Sequence, residues 1–447
     1  MSDLHTLGAI ELAALIKDGT VSSVDVTRAC LSRIDARDGE VQAFQHLDPD
    51  HALAQAEQRD QHRAAGRPLG KLHGVPVALK DIIDTADYPT ENGLAADQGR
   101  KAGRDAMIAA RIRGEGAVII GKTVTTEAAY YNPSKTRNPN NTDHTPGGSS
   151  SGSAAAVADF MVPLAVGSQT NGSVIRPASF CGVVGFKPGF GQVPRTGVLE
   201  LSPSLDQMGV FARSVDDAAL LADVMAGADG TDDSVPISAP PHFGAIGETD
   251  PPVRPALAFI PAPDWADKAE ADARLGFEEL VKAILGETDQ VPLPLIYREC
   301  LSMHRVIMST EMGRHLSRYL GEDQPISDAL RTILEEGKTY SAHDYLAALD
   351  WQSVFLSGLD EIFERYDALI TPAAYGTAPF GLSSTGDAGA CTLWTYCGLP
   401  AITLPLLVGD NDLPIGVQLI GSKGEDGRLL RTANWLVREL AAGDDDE

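Results

Sequence analysis

The first part of the chain, residues 7–66, has the apolar spacing of helices. In LGAIELAALIKDG, apolar residues recur three and four positions apart, and Gly19 follows the last of them. The next segment, SSVDVTRACLSRIDARD, predicts a second helix with Ser22 or Ser23 as its N-cap. A third and more polar helix is predicted in HALAQAEQRDQHRAAG. Residues 1–66 are therefore assigned to N-terminal helices.

From residue 67 onward, short apolar strands alternate with helices. The segment HGVPVALKDIID predicts a strand with one lysine, Lys80, inside it. DAMIAARIRGEG then predicts a helix that ends at Gly114 and Gly116, and AVIIGKT predicts a buried strand. The alternation continues to a helix over residues 214–227. This order is typical of βαβ units on a mixed or parallel sheet, and it predicts a core over residues 67–227.

The second half of the chain predicts a helical insertion and a return to the sheet. Residues 228–253 are rich in Asp, Pro and Gly, a strand follows in PALAFIPA, and residues 266–368 are mostly helical. Three strands and a last helix close the pattern. We predict one α/β domain over residues 1–447, with a central mixed, twisted sheet covered by helices on both faces. Its later parts are a linker and helical insertion (228–365), closing strands and helix (366–440) and an acidic tail (441–447).

Composition and charge narrow the class of protein. Of the 447 residues, 43% are apolar and 44 are glycine, which fits a globular enzyme better than a disordered or fibrous chain. The chain carries 62 acidic against 36 basic residues, a net charge of −26. This excess disfavours binding to nucleic acid and to anionic membranes, because both need basic surface.

Cysteine and histidine usage indicates neither a disulfide framework nor a metal site. The five cysteines are scattered and never spaced as CxxC, and the ten histidines are dispersed. The N-terminus lacks the basic and apolar regions of a signal peptide, and no run of about 18 apolar residues predicts a membrane helix. We therefore predict a cytoplasmic protein that needs no metal.

The chemistry concentrates in residues 145–177, TPGGSSSGSAAAVADFMVPLAVGSQTNGSVIRP. Glycine and serine form two clusters there, Gly147–Ser153 and Gly167–Ser173. Glycine lets the backbone approach a ligand closely, and serine supplies hydroxyls that attack or relay protons. The apolar segment between the clusters is built to be buried, which excludes a flexible linker. The pattern predicts two loops brought together at one active site.

Two common motifs do not explain these clusters. Gly148–Gly152 matches G-x-S-x-G around Ser150, but that motif needs a preceding strand, and NPNNTDHTPG cannot form one. A phosphate-binding loop is also disfavoured, because the first cluster lacks a G-K-[ST] ending and a GxGxxG pattern.

A serine activated by lysine is the remaining interpretation. Lys80 lies in an otherwise apolar strand, and burial lowers the pKa of a lysine. Action as a base at neutral pH needs a fall of about 3 units from roughly 10.4, which costs on the order of 4 kcal/mol. A structural ion pair of Lys80 with Asp81 or Asp84 explains the same residues, and spacing alone favours that pair.

Three segments resemble the amidase signature family. They are GVPVALKD around Lys80, then PGGSSSGSAAAVA with GSQTNGSVIRPASFCGVVGFKP, and finally CGLPAITLPLLVGDNDLPIGVQLIG. The resemblance covers roughly residues 60–220 and 365–437. The two serines Ser149 and Ser173 are 24 positions apart, which is the usual separation in that family. The resemblance implies the amidase signature fold and a hydrolase without a cofactor.

The resemblance also implies a role for each matching residue. Ser173 would be the nucleophile, and Ser149, after a cis peptide bond from Gly148, would pass its proton to Lys80. The backbone N–H groups of Thr170, Asn171, Gly172 and Ser173 would form the oxyanion hole.

Some positions depart from the family pattern, and others are assigned less directly. Gln169 stands where Asp is usual, and Arg176 falls one position later than the usual arginine. The glutamyl-tRNA amidotransferase subunit of the family normally reads DTGGS, so QTNGS disfavours that role. We predict substrate contacts at Thr125 and Tyr130, although core packing explains Tyr130 equally well.

The sequence therefore predicts a hydrolase that cleaves C–N bonds of a small-molecule amide through a Ser-cisSer-Lys triad. Carbamates (urethanes), hydrazides and aryl esters are alternative candidate substrates, because they share the acyl-enzyme chemistry. The alternative is a glutamine-hydrolysing amidotransferase subunit that works only in a complex. As a hydrolase, the protein is expected to be a monomer or homodimer.

Overall fold

One sheet of ten strands runs through the protein. The computed structural model describes residues 3–285, 290–321 and 324–444. The sheet order is β1-β3-β2-β4-β6-β5-β9-β10-β8-β7. The strands are β1 (Phe44–Leu47), β2 (Pro76–Lys80), β3 (Val118–Thr123), β4 (Leu164–Gln169), β5 (Val184–Lys187), β6 (Gln207–Ala212), β7 (Leu257–Phe259), β8 (Ala368–Pro372), β9 (Ala401–Val408) and β10 (Pro414–Ile420).

The sheet is mixed, and its parallel part is short. β2 pairs in parallel with both β3 and β4, and β7 pairs in parallel with β8. The other neighbouring pairs among the described strands are antiparallel. The predicted mixed α/β sheet is confirmed, and its parallel strands are joined through helices in the β2, β3 and β4 part and between β7 and β8.

Helices surround this sheet. They are α1 (Ala9–Asp18), α2 (Ser23–Val41), α3 (Pro49–Ala64), α4 (Met107–Gly114), α5 (Ser151–Ala158), α6 (Ile175–Cys181), α7 (Val215–Met225), α8 (Phe243–Gly247), α9 (Trp265–Lys268), α10 (Ala271–Leu285), α11 (Cys300–His315), α12 (Asp328–Glu336), α13 (Ala342–Phe363), α14 (Gly389–Tyr396) and α15 (Asp426–Asp444). Short 3₁₀ turns occupy Leu4–Thr6, Ala95–Asp97, Glu127–Ala129, Leu295–Glu299 and Ser317–Tyr319.

The first two helices end and begin as the sequence predicts. α1 is followed by Gly19 in the left-handed region, with φ 85°. Of the two candidate N-caps, Ser22 caps α2: its side chain accepts a hydrogen bond from the Asp25 amide, and the Asp25 side chain accepts one from the Ser22 amide. This reciprocal pair satisfies two amides that no helical carbonyl can reach.

Alternate residues of the sheet face two different cores. Val77 and Leu79 pack in a core that includes residues of α1, α4 and α7, whereas Ala78 packs in a second core with α2, α3 and α5. Since side chains alternate along a strand, Lys80 lies on the same face as Ala78. On that face α5 contributes the small alanines 154–156, so the helix lies very close to the strands.

The closest approach is made by Gly152 of α5. A Cβ placed there would lie 2.1 Å from the Ala43 carbonyl oxygen and 2.5 Å from the Val124 amide nitrogen. The Gly152 amide itself donates to the Val124 carbonyl at 3.0 Å. This contact sets the position of the helix that directly follows Ser149.

Several elements are absent from the sequence prediction. β1 lies inside the segment predicted as wholly helical, and β6 and α14 were not predicted. β7 lies within the predicted linker and insertion but belongs to the main sheet. The helix α15 extends to Asp444, so the first four residues of the predicted acidic tail are helical; residues 445–447 lie outside the described residues. The division of the chain into core and insertion stays a prediction.

In the described part of the chain, none of the helices has the length and hydropathy that crossing a membrane requires.

Two glycine substitutions should test the packing of α5. Gly152→Ala should destabilise the protein by about 1–3 kcal/mol, because the added methyl group collides with backbone atoms. Gly39→Ala is the matched control: Gly39 is exposed in α2, with nothing within 4 Å of an added Cβ, so the same change should stabilise the fold by about 0.5–1 kcal/mol. Urea unfolding monitored by circular dichroism measures both. Equal effects of the two changes would contradict the packing argument.

Candidate active site

The site forms where the parallel strands β2 and β4 end. Parallel neighbours place their carboxyl ends at the same edge of a sheet, so Lys80, the last residue of β2, lies near Gln169, the last residue of β4. The loop after β4 carries residues 170–173, and the loop before α5 carries Ser149. Both serine clusters therefore meet beside the lysine.

Lys80 is fully buried and bonds to hydroxyls. Its Nζ donates to Ser149 Oγ at 2.7 Å and to Ser168 Oγ at 3.0 Å. Among the described residues no carboxylate lies within 4 Å of it, so the ion pair with Asp81 or Asp84 that spacing favoured is wrong. Those acids have other partners: Asp81 lies 3.3 Å from Lys122 Nζ, and Asp84 pairs with Arg100.

Burial lowers the pKa of Lys80 to about 7, against a smaller opposing effect of the Asp206 carboxylate. A lowered pKa does not by itself identify the base, since burial also lowers the pKa of Lys187 to about 7. Lys187 Nζ, however, donates to the Leu399 carbonyl at 2.6 Å and to the Gln207 side chain. Of these two lysines, Lys80 is the one that contacts serine hydroxyls.

The other serines of the first cluster have structural partners. Ser150 Oγ donates to the Ser168 carbonyl and accepts from its amide, and Ser150 is fully buried, which supports setting aside the G-x-S-x-G match. Ser151 Oγ donates to the Gly147 carbonyl, and Ser153 Oγ to the Val166 carbonyl. Ser149 is the member of the cluster whose hydroxyl contacts the lysine, and the Gly148–Ser149 peptide bond is cis.

Ser149 and Ser173 line one small cavity, which we call the serine chamber. Its volume is about 20 Å³, room for about one water molecule. No hydrogen bond joins the two hydroxyls in the described structure. Catalytic hydrogen bonds are often long without substrate and tighten when it binds. The chamber is lined by Ala129, Tyr130, Tyr131, Ser149, Thr170, Asn171, Ser173, Arg176, Leu201 and Met308.

The loop after β4 presents a run of unused backbone donors. The N–H groups of residues 170–173 have no acceptor among the described residues. The next two amides, of Val174 and Ile175, are taken by Gln169 Oε1 at 2.8 and 3.0 Å. Gln169 thus ends the run of free donors, and four adjacent N–H groups remain as an oxyanion hole would require.

Gln169 also makes a contact that the usual aspartate could not. Its Nε2 donates to Thr395 Oγ1 at 2.9 Å, and that hydroxyl in turn donates to the Asn171 carbonyl at 2.5 Å. An aspartate has no donor for the threonine. Gln169 and Thr395 therefore form a matched pair, and Gln169 keeps the loop held where the family pattern has a carboxylate.

His304 of α11 also holds this loop. Its Nε2–H donates to the Thr170 carbonyl at 2.8 Å, and burial lowers the pKa of His304 to about 4, so the ring is neutral at neutral pH. In a trans peptide the C=O and the following N–H point in opposite directions. The bond to His304 therefore turns the Asn171 N–H away from α11.

Sequence reasoning missed both of these supports. His304 lies in the predicted insertion, 134 positions from Thr170, and Thr395 lies in a helix that was not predicted. A single histidine or threonine in a helix carries no signal of such a contact, so no sequence pattern could have found them.

The two residues predicted to contact the substrate differ in their position relative to the serine chamber. Tyr130 lines the serine chamber, whereas Thr125 does not; its hydroxyl is buried and has no hydrogen-bond partner among the described residues. Tyr131, which was not predicted, also lines the chamber, and its hydroxyl accepts from Asn171 Nδ2 at 2.9 Å. The roles of Thr125 and Tyr130 in substrate binding stay predictions.

A larger cavity, of about 870 Å³, lies beside Ser168, one of the two hydroxyl partners of Lys80. It reaches Ser168 and Asp206 and shares Leu201 with the serine chamber. Asp206 accepts a hydrogen bond from Thr170 Oγ1 at 2.6 Å, and burial raises its pKa to about 6. The smaller chamber remains the candidate site, because both Ser149 and Ser173 lie there.

A group of potential metal ligands occurs near β2. His46, Asp81 and Glu91 lie close enough to share an ion, but Asp81 already contacts the ammonium group of Lys122. A bound cation would have to lie beside that positive charge. The group is separate from the serine chamber, whose lining includes none of the three.

Comparison with known proteins identifies relatives over nearly the whole chain. A family model described as Amidase matches residues 25–430. Among curated proteins, the A subunit of the glutamyl-tRNA(Gln) amidotransferase of Streptomyces coelicolor is 34% identical, over 96% of this chain and 95% of the relative.

Two solved structures are also similar to this chain over nearly its whole length. One is described as an inhibitor-bound vestigial protein complex that reveals the evolutionary origins of an s-triazine catabolic enzyme; it has a TM-score of 0.90 and 29% identity, over 97% of this chain and 99% of the other. The peptide amidase from Stenotrophomonas maltophilia has a TM-score of 0.83 and 28% identity, over 97% and 96% of the chains.

Two substitutions at His304 should test its hold on the loop. His304→Leu removes the donor to Thr170 and should slow reaction of Ser173 with a neutral alkyl fluorophosphonate roughly 10- to 100-fold, because a misplaced oxyanion donor loses part of its usual effect. His304→Gln keeps an N–H donor at a similar reach and should react at close to the wild-type rate. Mass spectrometry of the adduct gives the rate constants. Equal rates for the Leu and wild-type proteins would show that the bond is dispensable.

Proposed function

The chain belongs to the amidase signature family, and from that premise we propose that it hydrolyses a C–N bond of an amide through an acyl-enzyme on Ser173. Lys80 is the proposed base, and Ser149 is the proposed proton relay between Ser173 and Lys80. The N–H groups of Thr170–Ser173 are the proposed oxyanion hole.

The proposed reaction has two halves. Neutral Lys80 takes a proton from Ser149, which takes one from Ser173, whose Oγ attacks the amide carbon. The tetrahedral oxyanion accepts hydrogen bonds from the loop, the C–N bond breaks, and the relay returns the proton to the leaving amine. Water then attacks the ester by the same path, which releases the carboxylic acid and restores Ser173.

The single observation that carries this proposal is the contact of Lys80 Nζ with Ser149 Oγ at 2.7 Å, on a buried lysine without a carboxylate partner among the described residues. A lysine with a pKa of 10.5 is neutral in only about 0.03% of molecules at pH 7, whereas a pKa of about 7 makes roughly half of them neutral. The burial of Lys80 thus supplies a base at neutral pH, and each oxyanion donor typically adds about 2.7–4 kcal/mol.

The first candidate substrate is a small-molecule amide, with carbamates, hydrazides and aryl esters as variants of the same acyl chemistry. The likeness to a peptide amidase supports an amidase interpretation of the site. In this form the protein needs no cofactor and works as a monomer or homodimer in the cytoplasm.

The second candidate is a glutamine-hydrolysing amidotransferase subunit. The curated relatives favour it, since those compared are amidotransferase A subunits at 32–34% identity over nearly full length. The glutamine at position 169, where the family usually has aspartate, is weaker evidence against an amidotransferase subunit than the motif alone implies. Gln169 holds the loop through its own hydrogen bonds. In this role the chain would depend on partner subunits and would release ammonia from glutamine.

A hydrolysis screen beside Ser173→Ala tests the proposal and separates the two candidates. The panel contains aliphatic amides, anilides, carbamates and glutamine. The wild-type chain should hydrolyse simple amides and Ser173→Ala should lose all turnover, whereas Ser150→Ala, which loses only the bridge to Ser168, should keep a reduced but measurable turnover. Retained turnover in Ser173→Ala would overturn the mechanism. Activity confined to glutamine, and only with partner subunits present, would select the second candidate.

The pH dependence should report the lysine. Because the neutral amine is the base, the rate of Ser173 modification by a neutral fluorophosphonate should rise between pH 6 and 8 with an apparent pKa of about 7 and level off above it. Lys80→Ala should be slow throughout and lack this rise. A flat wild-type profile, or an undiminished Lys80→Ala protein, would make the lysine structural.

A further inference from the structure

Arg176 is the only buried arginine in the described part of the chain. Its side chain is 1% exposed, and it lies in α6, three residues after Ser173. Arginine is rarely buried without a partner, because removing a charge from water is costly unless an opposite charge compensates.

The partners of Arg176 are all neutral. Nη1 donates to the Gly386 carbonyl at 2.8 Å, and Nη2 donates to the Gly148 carbonyl at 2.6 Å and to Thr385 Oγ1 at 3.4 Å. Its Nε is buried and has no hydrogen-bond partner among the described residues. The guanidinium group therefore keeps both its charge and part of its donor capacity uncompensated.

The nearby acid, Asp387, makes no direct contact with this charge. Asp387 is bound by Lys268 Nζ at 2.8 Å, and its side chain is 48% exposed. No carboxylate lies within 4 Å of Arg176 among the residues that the structure describes. The Tyr131 ring lies 5.7 Å from the guanidinium carbon, which partly stabilises the cation through its π face.

Arg176 is also the single charged residue in the lining of the serine chamber. The other nine lining residues are apolar or uncharged, and two of them are Ser149 and Ser173. A chamber with one cation and no anion is complementary to a negatively charged ligand, because an arginine without a partner gains most from a carboxylate.

We propose that Arg176 binds a carboxylate of the substrate, so that the preferred substrate is an amide that also carries a free carboxylate group. This inference rests on the proposed function and names the substrate class of the same site. Arg176 acts as the specificity-determining residue, and Tyr131 supports its guanidinium group. Both candidate functions are compatible with it, since glutamine is itself an amide with a carboxylate.

Matched substrate pairs test this without any mutation. Succinamate and glutaramate carry a carboxylate on the acyl side, and butyramide and valeramide are neutral amides of the same length; N-acetylglycine and N-ethylacetamide make the pair on the amine side. The wild-type kcat/KM should favour the anionic member by at least tenfold in at least one pair. Equal or reversed rates in every pair would overturn the inference.

Variants of Arg176 assign the preference to this residue. Arg176→Gln keeps donors without the charge and should reduce the preference to below threefold, mainly through KM, while Arg176→Lys should retain part of it. Arg176 also donates to the Gly148 carbonyl, so modification of Ser173 by the neutral fluorophosphonate measures the structural effect of the change, and it should fall several-fold less than the anionic turnover. An Arg176→Gln protein that loses neutral-probe reactivity as much as anionic turnover would show a purely structural arginine.

A failure of the proposed acyl-enzyme mechanism and a failure of the inference about Arg176 give different experimental results. If Ser173 does not react with the neutral probe in the wild-type protein, the acyl-enzyme mechanism itself is wrong. If Ser173 reacts and the wild-type protein shows no preference for carboxylates, the mechanism stands and the inference about Arg176 fails. The wild-type comparison keeps the test valid even where an Arg176 variant does not fold.

Discussion

The site depends on a buried lysine whose partners are hydroxyls. Charged lysine is costly to bury, and an acidic partner would repay that cost but would keep the amine protonated. The structure instead directs the nearby acids elsewhere, Asp81 to Lys122 and Asp84 to Arg100. Lys80 is left with Ser149 and Ser168, and its neutral form becomes accessible near pH 7. The arrangement of ion pairs around β2 is therefore part of the chemistry.

The contact between Lys80 and Ser149 needs the helix α5 to pack close to the sheet. The small residues of α5 let Gly152 contact the backbone at Ala43 and Val124, and Ser150 bridges to Ser168 on β4. Both contacts hold the start of α5 against the strand ends, where Ser149 meets Lys80. The composition of the first serine cluster thus serves packing as much as chemistry, since most of its hydroxyls bind backbone atoms.

The second cluster is held by two residues that are distant in sequence and by its own Gln169. His304 takes the Thr170 carbonyl, Thr395 takes the Asn171 carbonyl, and Gln169 takes the two amides that follow the loop. The helix α11 also holds the adjacent loop, since Glu311 accepts hydrogen bonds from the Ser204 amide and hydroxyl. The helical segment predicted as a cap on the sheet is therefore a structural support of the candidate site.

The sequence by itself determined the local features: the strand around Lys80, a serine N-cap at Ser22 or Ser23, the mixed α/β class, and the family of the chain. These follow from spacing and short motifs, which depend on near neighbours. It missed β1 and β6, whose short segments lack a clear pattern, and it favoured an ion pair for Lys80 because proximity in sequence was the only guide. Only the tertiary structure decided which acid pairs with which base, that His304 and Thr395 orient the loop, and that Arg176 is buried without a carboxylate among the described residues. Those outcomes depend on contacts between residues up to more than 200 positions apart, and no local pattern encodes them.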